Sequence, residues 1–194
     1  MPASEIGMYV IVFLAVYVQV FFMVTFFERR KHLNALHDED VPNLKTYPTV
    51  TVIVPAWNEG TTVHGTISSL LALDYPEDKL EVIVVDDGST DNTWEEMLKF
   101  KDNPRVRIFQ KENGGKHTAV NFGIDNTNAD LISCLDADSF VAPDALKRMV
   151  NVFQRKPEVM AVAPSLIVNK PKNLLQHAQK VEYNMSTYNK RMLA

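Results

Sequence analysis

Asp130-Leu131-Ile132-Ser133-Cys134-Leu135-Asp136-Ala137-Asp138-Ser139 is the stretch on which the reading of the fold turns. Its mostly apolar first part reads as a buried strand and stops at two carboxylates one residue apart. On an extended chain, residues i and i+2 point the same way. Two carboxylates aimed together from a strand's C-terminal end repel unless a cation lies between them. A divalent-metal site is one reading; a strand end running into ordinary Asp turn chemistry is the other. Cys134, the single cysteine, falls inside the apolar part and is expected to be a small buried hydrophobe. One cysteine excludes an internal disulfide and multi-cysteine zinc clusters.

Upstream of this strand, strand-like and helix-like runs alternate. Strands are expected at Val50–Val54, Leu80–Val85, Val106–Phe109 and Leu131–Leu135, and a fifth at Val159–Ala163. Helical spacing covers Thr61–Leu73, Thr93–Phe100, Lys116–Asn126, Pro143–Arg155 and Asn173–Met192. This rhythm with near-continuous apolar strands argues a mostly parallel α/β sheet covered by helices on both faces. Ligands of such sheets bind outside the carboxyl ends of the strands.

Residues 1–5 form a short tail. Ile6 to Phe27 carries no charge and spans roughly 30 Å as a helix, the thickness of a hydrocarbon core. A signal peptide would need a basic start and small residues at a cleavage site, whereas this segment begins after Glu5 and ends in bulky aromatics. Arg29, Arg30 and Lys31 follow, so the positive-inside rule places the N-terminus outside and the rest in the cytoplasm, at the cell membrane. Residues 28–48, polar and containing Pro42 and Pro48, read as a cytoplasmic linker. The soluble domain is expected over 49–194. A net charge of −4 and the lack of a basic, aromatic-rich stripe exclude a nucleic-acid footprint.

Four strand ends carry polar groups: Pro55-Ala56-Trp57-Asn58-Glu59, Asp86-Asp87-Gly88-Ser89-Thr90-Asp91, Asn113-Gly114-Gly115-Lys116 and Asp136-Ala137-Asp138. On a parallel sheet they meet on one rim. Asp86 or Asp87 can accept from a base N–H or a ribose hydroxyl, and Gly88 permits close approach of a ring. Ser89 and Asp91 read as helix caps. Gly114, Gly115 and Lys116 open a helix with free N–H groups and a cation, which suits phosphate, though a Gly-rich turn with a solvated Lys has the same sequence. Mg²⁺ or Mn²⁺ at Asp136 and Asp138 would bridge diphosphate oxygens. Trp57 either stacks on a base or packs in the core. His64 and His117 are isolated and read as ordinary surface residues. No G-x-G-x-x-G follows the first strand, Gly115-Lys116 lacks the spacing of a P-loop, and neither H-E-x-x-H nor G-x-S-x-G occurs.

These four motifs, in this order and with Ala119 and Asn121, resemble family 2 glycosyltransferases of the GT-A fold over about residues 49–190. The preceding apolar helix and Val181-Glu182-Tyr183 look most like the membrane-bound processive branch, the synthases of poly-N-acetylglucosamine, hyaluronan, chitin and cellulose. The resemblance implies a UDP-sugar donor, metal dependence and inverting transfer to a polysaccharide or lipid-linked acceptor, in contact with membrane lipid. It implies donor or nucleotide contacts by Pro55, Ala56, Asn58, Glu59, Asp87, Gly88, Lys116 and Asp136, and a metal ligand in Asp138. It also implies a catalytic base in a T-E-D-like motif beyond Ala194. This chain is therefore expected to bind donor but transfer sugar poorly. The competing readings are a non-processive transferase acting on a polyprenyl phosphate, a non-catalytic nucleotide-sugar subunit and, through Asp86-Asp87, a receiver-like domain, which leaves the other motifs unexplained.

Overall fold

The computed structural model describes residues 3–38, 43–166, 168 and 171–193. It comprises two compact units, Met1–Asp40 with Pro164–Ala194, and Val41–Ala163.

The first unit holds two helices. Within α1 (Ala3–Asp38), Glu5–Thr25 has a mean hydropathy of 2.3 and no buried residue, and is long and apolar enough to cross a membrane. The helix outlasts its apolar run. The segment expected to be linker is helical as far as Asp38, because residues 28–38 hold Leu, Ala, Glu, Arg and Lys and no Pro or Gly. α6 spans Leu174–Leu193, close to its expected bounds.

The second unit is built on β1 (Val50–Ala56), β2 (Leu80–Asp86), β3 (Val106–Gln110) and β4 (Leu131–Cys134), all parallel, in the order β3-β2-β1-β4. Every residue of β1 is buried. Alternation sends Val52, Val54, Val82 and Val84 to one face, where they meet Val63, Ile67 and Leu70 of α2 (Val63–Leu71), Met97 of α3 (Thr93–Leu98), and Leu146 and Val150 of α5 (Ala145–Arg155). The opposite face, with Ile83 and Val85, is covered by α4 (Lys116–Asp125) through Ala119. Gly123 lets that helix lie against β1, since a Cβ there would come within 2.6 Å of Ile53 Cγ2. The unit starts earlier than Thr49: Leu44 is buried, and Tyr75 donates its hydroxyl to the Pro48 carbonyl at 2.7 Å.

Two further expectations are corrected. Val159–Ala163 forms no strand. A turn closed by the Val159 N–H on the Lys156 carbonyl follows α5, the chain finds no ladder partner, and Met160 is 96% exposed. Cys134 is exposed, not buried, because β4 is an edge strand and α4 packs on β1 and β2; Ile132 on the same face is also exposed.

Candidate functional site

From β1 the chain adds β2 and β3 on one side, then crosses to β4 on the other. The reversal leaves a crevice between the carboxyl ends of β1 and β4, the place where open α/β sheets bind ligands. Pro55 fits this gap. Ile53 accepts the Leu135 N–H on the β4 side and Ala56 accepts the Asp87 N–H on the β2 side, so by alternation the missing Pro55 N–H faces β4, whose ladder has ended at Cys134. A cleft of about 420 Å³ opens here, lined by β1-end residues Pro55, Ala56, Trp57 and Glu59, by Asp87, by Asn113, Gly115 and Lys116, and by Asp136, Ala137 and Asp138. A larger depression of about 560 Å³ lies at the opposite strand ends. Its Arg105 is already engaged by Glu77 at 3.8 Å and by the Leu71 carbonyl at 3.3 Å.

Asp87 forms one end of the cleft. It is buried, and its carboxylate is tied into its own chain. Oδ1 accepts from Lys111 Nζ at 2.6 Å and Gly114 N–H at 3.1 Å, and Oδ2 accepts from Gly115 N–H at 2.8 Å. Burial alone would raise this carboxyl, but the Lys111 hydrogen bond, the two glycine N–H groups and the Lys111 charge outweigh it and hold Asp87 below the usual carboxylate range. Asp86 beside it is structural: fully buried, it accepts from Ser89 N–H at 3.0 Å and Gln110 Nε2 at 2.8 Å.

The acidic pair forms the other end. Ala137 is buried in the core while Asp136 and Asp138 on either side are exposed, and a turn closed by Ser139 N–H on the Asp136 carbonyl holds the three together. Lys116, at the first position of α4, reaches Asp136 Oδ1 at 2.5 Å. That hydrogen bond, ahead of the opposing desolvation, pushes the Lys116 ammonium above its ordinary value. Asp138 accepts a 3.3 Å hydrogen bond from its neighbour Ser139. The two acids therefore differ: Asp136 is neutralised by a cation of the chain, and Asp138 is open to one from solution. Hard carboxylate oxygens suit Mg²⁺ or Mn²⁺. Among the described residues no group of three or more His, Cys, Asp or Glu converges. A cation at Asp138 would thus need further oxygen ligands from a bound anion or water, as Mg²⁺ sites with substrate phosphates have.

Residues 51–194 match the family described as Glycosyl transferase family 2. The chain belongs to that family. It is 35% identical over 175 residues to poly-beta-1,6-N-acetyl-D-glucosamine synthase of Staphylococcus aureus, covering 89% of this chain and 41% of that protein. With the synthase of the same name from Staphylococcus epidermidis it shares 36% identity over 135 residues, 69% of this chain and 32% of that one. The chain thus spans about two fifths or less of the length of these relatives. Two solved structures share the fold. S. aureus TarS 1-349 in complex with UDP-GlcNAc aligns with a TM-score of 0.53 at 23% identity, over 62% of this chain and 38% of that one. Mannosyltransferase PcManGT from Pyrobaculum calidifontis, in complex with GDP-Man and Mn2+, aligns with a TM-score of 0.55 at 24% identity, over 81% and 47%. The architecture is that of GT-A glycosyltransferases, a parallel sheet flanked by helices.

Of the residues that the family resemblance singled out, Pro55, Ala56, Glu59, Asp87, Lys116, Asp136 and Asp138 line one cleft. Asn58 and Gly88 do not. Asn58, at φ 55°, accepts the Thr90 N–H at 2.8 Å and gives its own N–H to Ser89 Oγ at 2.9 Å, which staples the first two strand-end loops together. The space above Gly88 (φ 72°) is filled by the chain itself, since a Cβ would lie 2.8 Å from Asn113 N. The Gly114 and Gly115 N–H groups, expected to be free for phosphate, are committed to Asp87. The N-cap position of α3 is Asn92; Asp91, one residue earlier, accepts the Thr93 N–H at 3.0 Å, while Ser89, also expected to be a cap, accepts the Asn58 N–H. Trp57 is 57% exposed and lines the cleft, which removes core packing as its explanation. Lys111 was not singled out in the sequence; nothing local distinguishes it from a solvated loop lysine.

Proposed function

We propose that this chain carries the donor-binding part of a metal-dependent, inverting family 2 glycosyltransferase that takes a UDP-sugar and extends a polysaccharide at a membrane. One observation carries the reading: Asp87, an acceptor suited to a base N–H, and the Lys116–Asp136–Asp138 group, suited to a diphosphate and its cation, line the same cleft. Identity of 35% to poly-N-acetylglucosamine synthases supports UDP-N-acetylglucosamine as donor and a polysaccharide as acceptor. The fold is shared with proteins solved with UDP-GlcNAc and with GDP-Man and Mn2+.

In this reading Asp87 accepts from the base, and Trp57 offers an exposed ring face to it. Pro55, Ala56 and Glu59 wall the nucleoside. Lys116 sets a point charge against phosphate oxygens, and Asp136 faces the ribose or donor sugar. Asp138 would hold Mg²⁺ or Mn²⁺, which supplies positive charge for the leaving diphosphate. The acceptor hydroxyl needs a carboxylate base, and none is assigned to this chain. α1 crosses the membrane, its N-terminus outside and the cleft on the cytoplasmic side.

Calorimetry of the full chain in detergent micelles with UDP and UDP-N-acetylglucosamine, with and without Mn²⁺, tests this. Binding that Mn²⁺ strengthens is expected, and Asp138→Asn should remove the metal-dependent gain. An Asp138→Asn chain that keeps that gain in full would show the metal assignment to be wrong.

A further inference from the structure

We infer that Lys111 sets the base preference of the cleft: by filling one acceptor site of Asp87 it leaves room for a single donor from the base, which favours uracil over guanine. This rests on the nucleotide-sugar reading above.

Lys111 makes no contribution to the cleft lining. Its ammonium has three N–H donors. They are accounted for by Asp87 Oδ1 at 2.6 Å, the Glu112 carbonyl at 2.5 Å and Thr118 Oγ1 at 2.8 Å. The residue thus ties the end of β3 to Asp87 and to the first turn of α4, and it has no donor left for a ligand. Its effect is exerted through Asp87.

A carboxylate offers about four acceptor sites. In Asp87, Lys111 and Gly114 fill the two on Oδ1, and Gly115 fills one on Oδ2. One site on Oδ2 remains, on a residue that lines the cleft. The pairing edge of uracil presents one ring N–H between two carbonyls, which matches a single vacant acceptor. Guanine presents a ring N–H and an amino group side by side, two parallel donors that need both oxygens of a carboxylate. With Oδ1 filled, the guanine amino group enters without an acceptor, and a desolvated, unpaired donor opposes binding. Hypoxanthine has the size of guanine but a single ring N–H, so it separates donor count from pocket size.

The test is calorimetry of the full chain in micelles with UDP, inosine diphosphate and GDP in the presence of Mn²⁺. Wild type should bind UDP tightest, and inosine diphosphate more tightly than GDP by about tenfold, the scale of one unpaired polar group. Lys111→Met frees an acceptor on Oδ1 and should bring the two purine nucleotides to within about twofold. Lys111→Gln, whose amide still donates to Oδ1, should restore the gap. A Lys111→Met chain that loses affinity for both purines in proportion would overturn the proposal, because a purely structural lysine acts that way. Wild type alone suffices if the variant does not fold: GDP binding as tightly as inosine diphosphate, or no measurable binding of either purine, also overturns it. Loss of UDP binding by wild type would remove the nucleotide reading itself, an outcome distinct from an unchanged purine gap.

Discussion

Thr66 Oγ1 donates to the carbonyl oxygen of Ala137 at 2.7 Å, a buried hydrogen bond between α2 and the loop that carries Asp136 and Asp138. The same stretch of α2 sets Ser69 Oγ 3.3 Å from the Val141 N–H, and Gly65 under the Phe140 ring, where a Cβ would come within 2.7 Å of Cε1. The acidic side chains are exposed, but the backbone that aims them is held by α2 between the two acids, at Ala137, and again just after them, at Phe140 and Val141.

Thr66→Val keeps the shape of the side chain and removes its donor. The Ala137 carbonyl is then left buried without its partner, at a cost of about 1–2 kcal/mol in stability. If this contact aims the acids, Mn²⁺-dependent UDP binding should weaken severalfold in Thr66→Val, while Thr66→Ser, which keeps the hydroxyl, stays near wild type. Denaturant titration and calorimetry on the same samples read both. Equal nucleotide affinity in the two variants would show that the loop holds its shape without this bond.

Asp87 makes part of the fold's stability depend on pH. Its carboxyl is held below the ordinary range near 3.9 of an unfolded chain. A depressed folded pKa stabilises the native state above the unfolded value, and that contribution is lost as pH falls through the folded value. Among the depressed carboxyls, Asp91, Asp130 and Asp144 are at least partly exposed, where such effects are screened, whereas Asp87 is buried. The stability difference between wild type and Asp87→Asn should therefore be largest near neutrality and shrink below about pH 4. Urea unfolding at several pH values measures it; a gap that grows on acidification would contradict the direction.

Two glycines of the rim should respond unequally to alanine. Gly88 combines φ 72° with a would-be Cβ 2.8 Å from Asn113 N, a backbone atom that cannot swing aside. Gly115 has φ 89°, but a Cβ there meets only the His117 ring at 3.4 Å. Gly115→Ala thus incurs backbone strain, about 1–3 kcal/mol, and Gly88→Ala incurs that strain plus a clash. Thermal unfolding should rank Gly88→Ala as clearly the less stable, with loss of UDP binding as the 113–115 loop is displaced from Asp87. Equal melting temperatures would mean that the loop yields without cost.

How far the sequence could be read depends on where each interaction partner lies along it. β1 and β2 are covered on both faces, so their apolar runs announce them, and Asp136-Ala137-Asp138 shows its geometry within three residues. β4 carries the same apolar signal but is an edge strand, and the exposure of Cys134 follows from where α4 packs, which no local pattern encodes. Val159–Ala163 has strand composition without a strand to pair with. Asn58 and Gly88 share their strand-end motifs with residues that line the cleft; in the fold Asn58 holds the Thr90 N–H and Gly88 leaves room for Asn113. Lys111 is separated from Asp87 by 24 positions, and only the β2–β3 pairing brings them together.

The ion pair between Lys116 and Asp136 yields the last prediction. Its side chains are 61% and 57% exposed, so it adds little to stability, and removing either member should leave the melting temperature nearly unchanged. Its place at the cleft matters more. Lys116 already rests on a carboxylate oxygen, and phosphate oxygens of a nucleotide would compete with Asp136 for it. Lys116→Met should then weaken UDP binding about tenfold, the loss of one charge-assisted contact, and leave uridine binding unchanged, since the nucleoside has no phosphate. Asp136→Asn removes the competitor, so without metal it should bind UDP at least as tightly as wild type. Calorimetry of the two variants with UDP and uridine decides the matter. If Lys116→Met loses uridine and UDP alike, the lysine shapes the nucleoside end of the cleft, and if Asp136→Asn weakens UDP without metal, the carboxylate holds the nucleotide itself instead of holding Lys116 until the phosphates arrive.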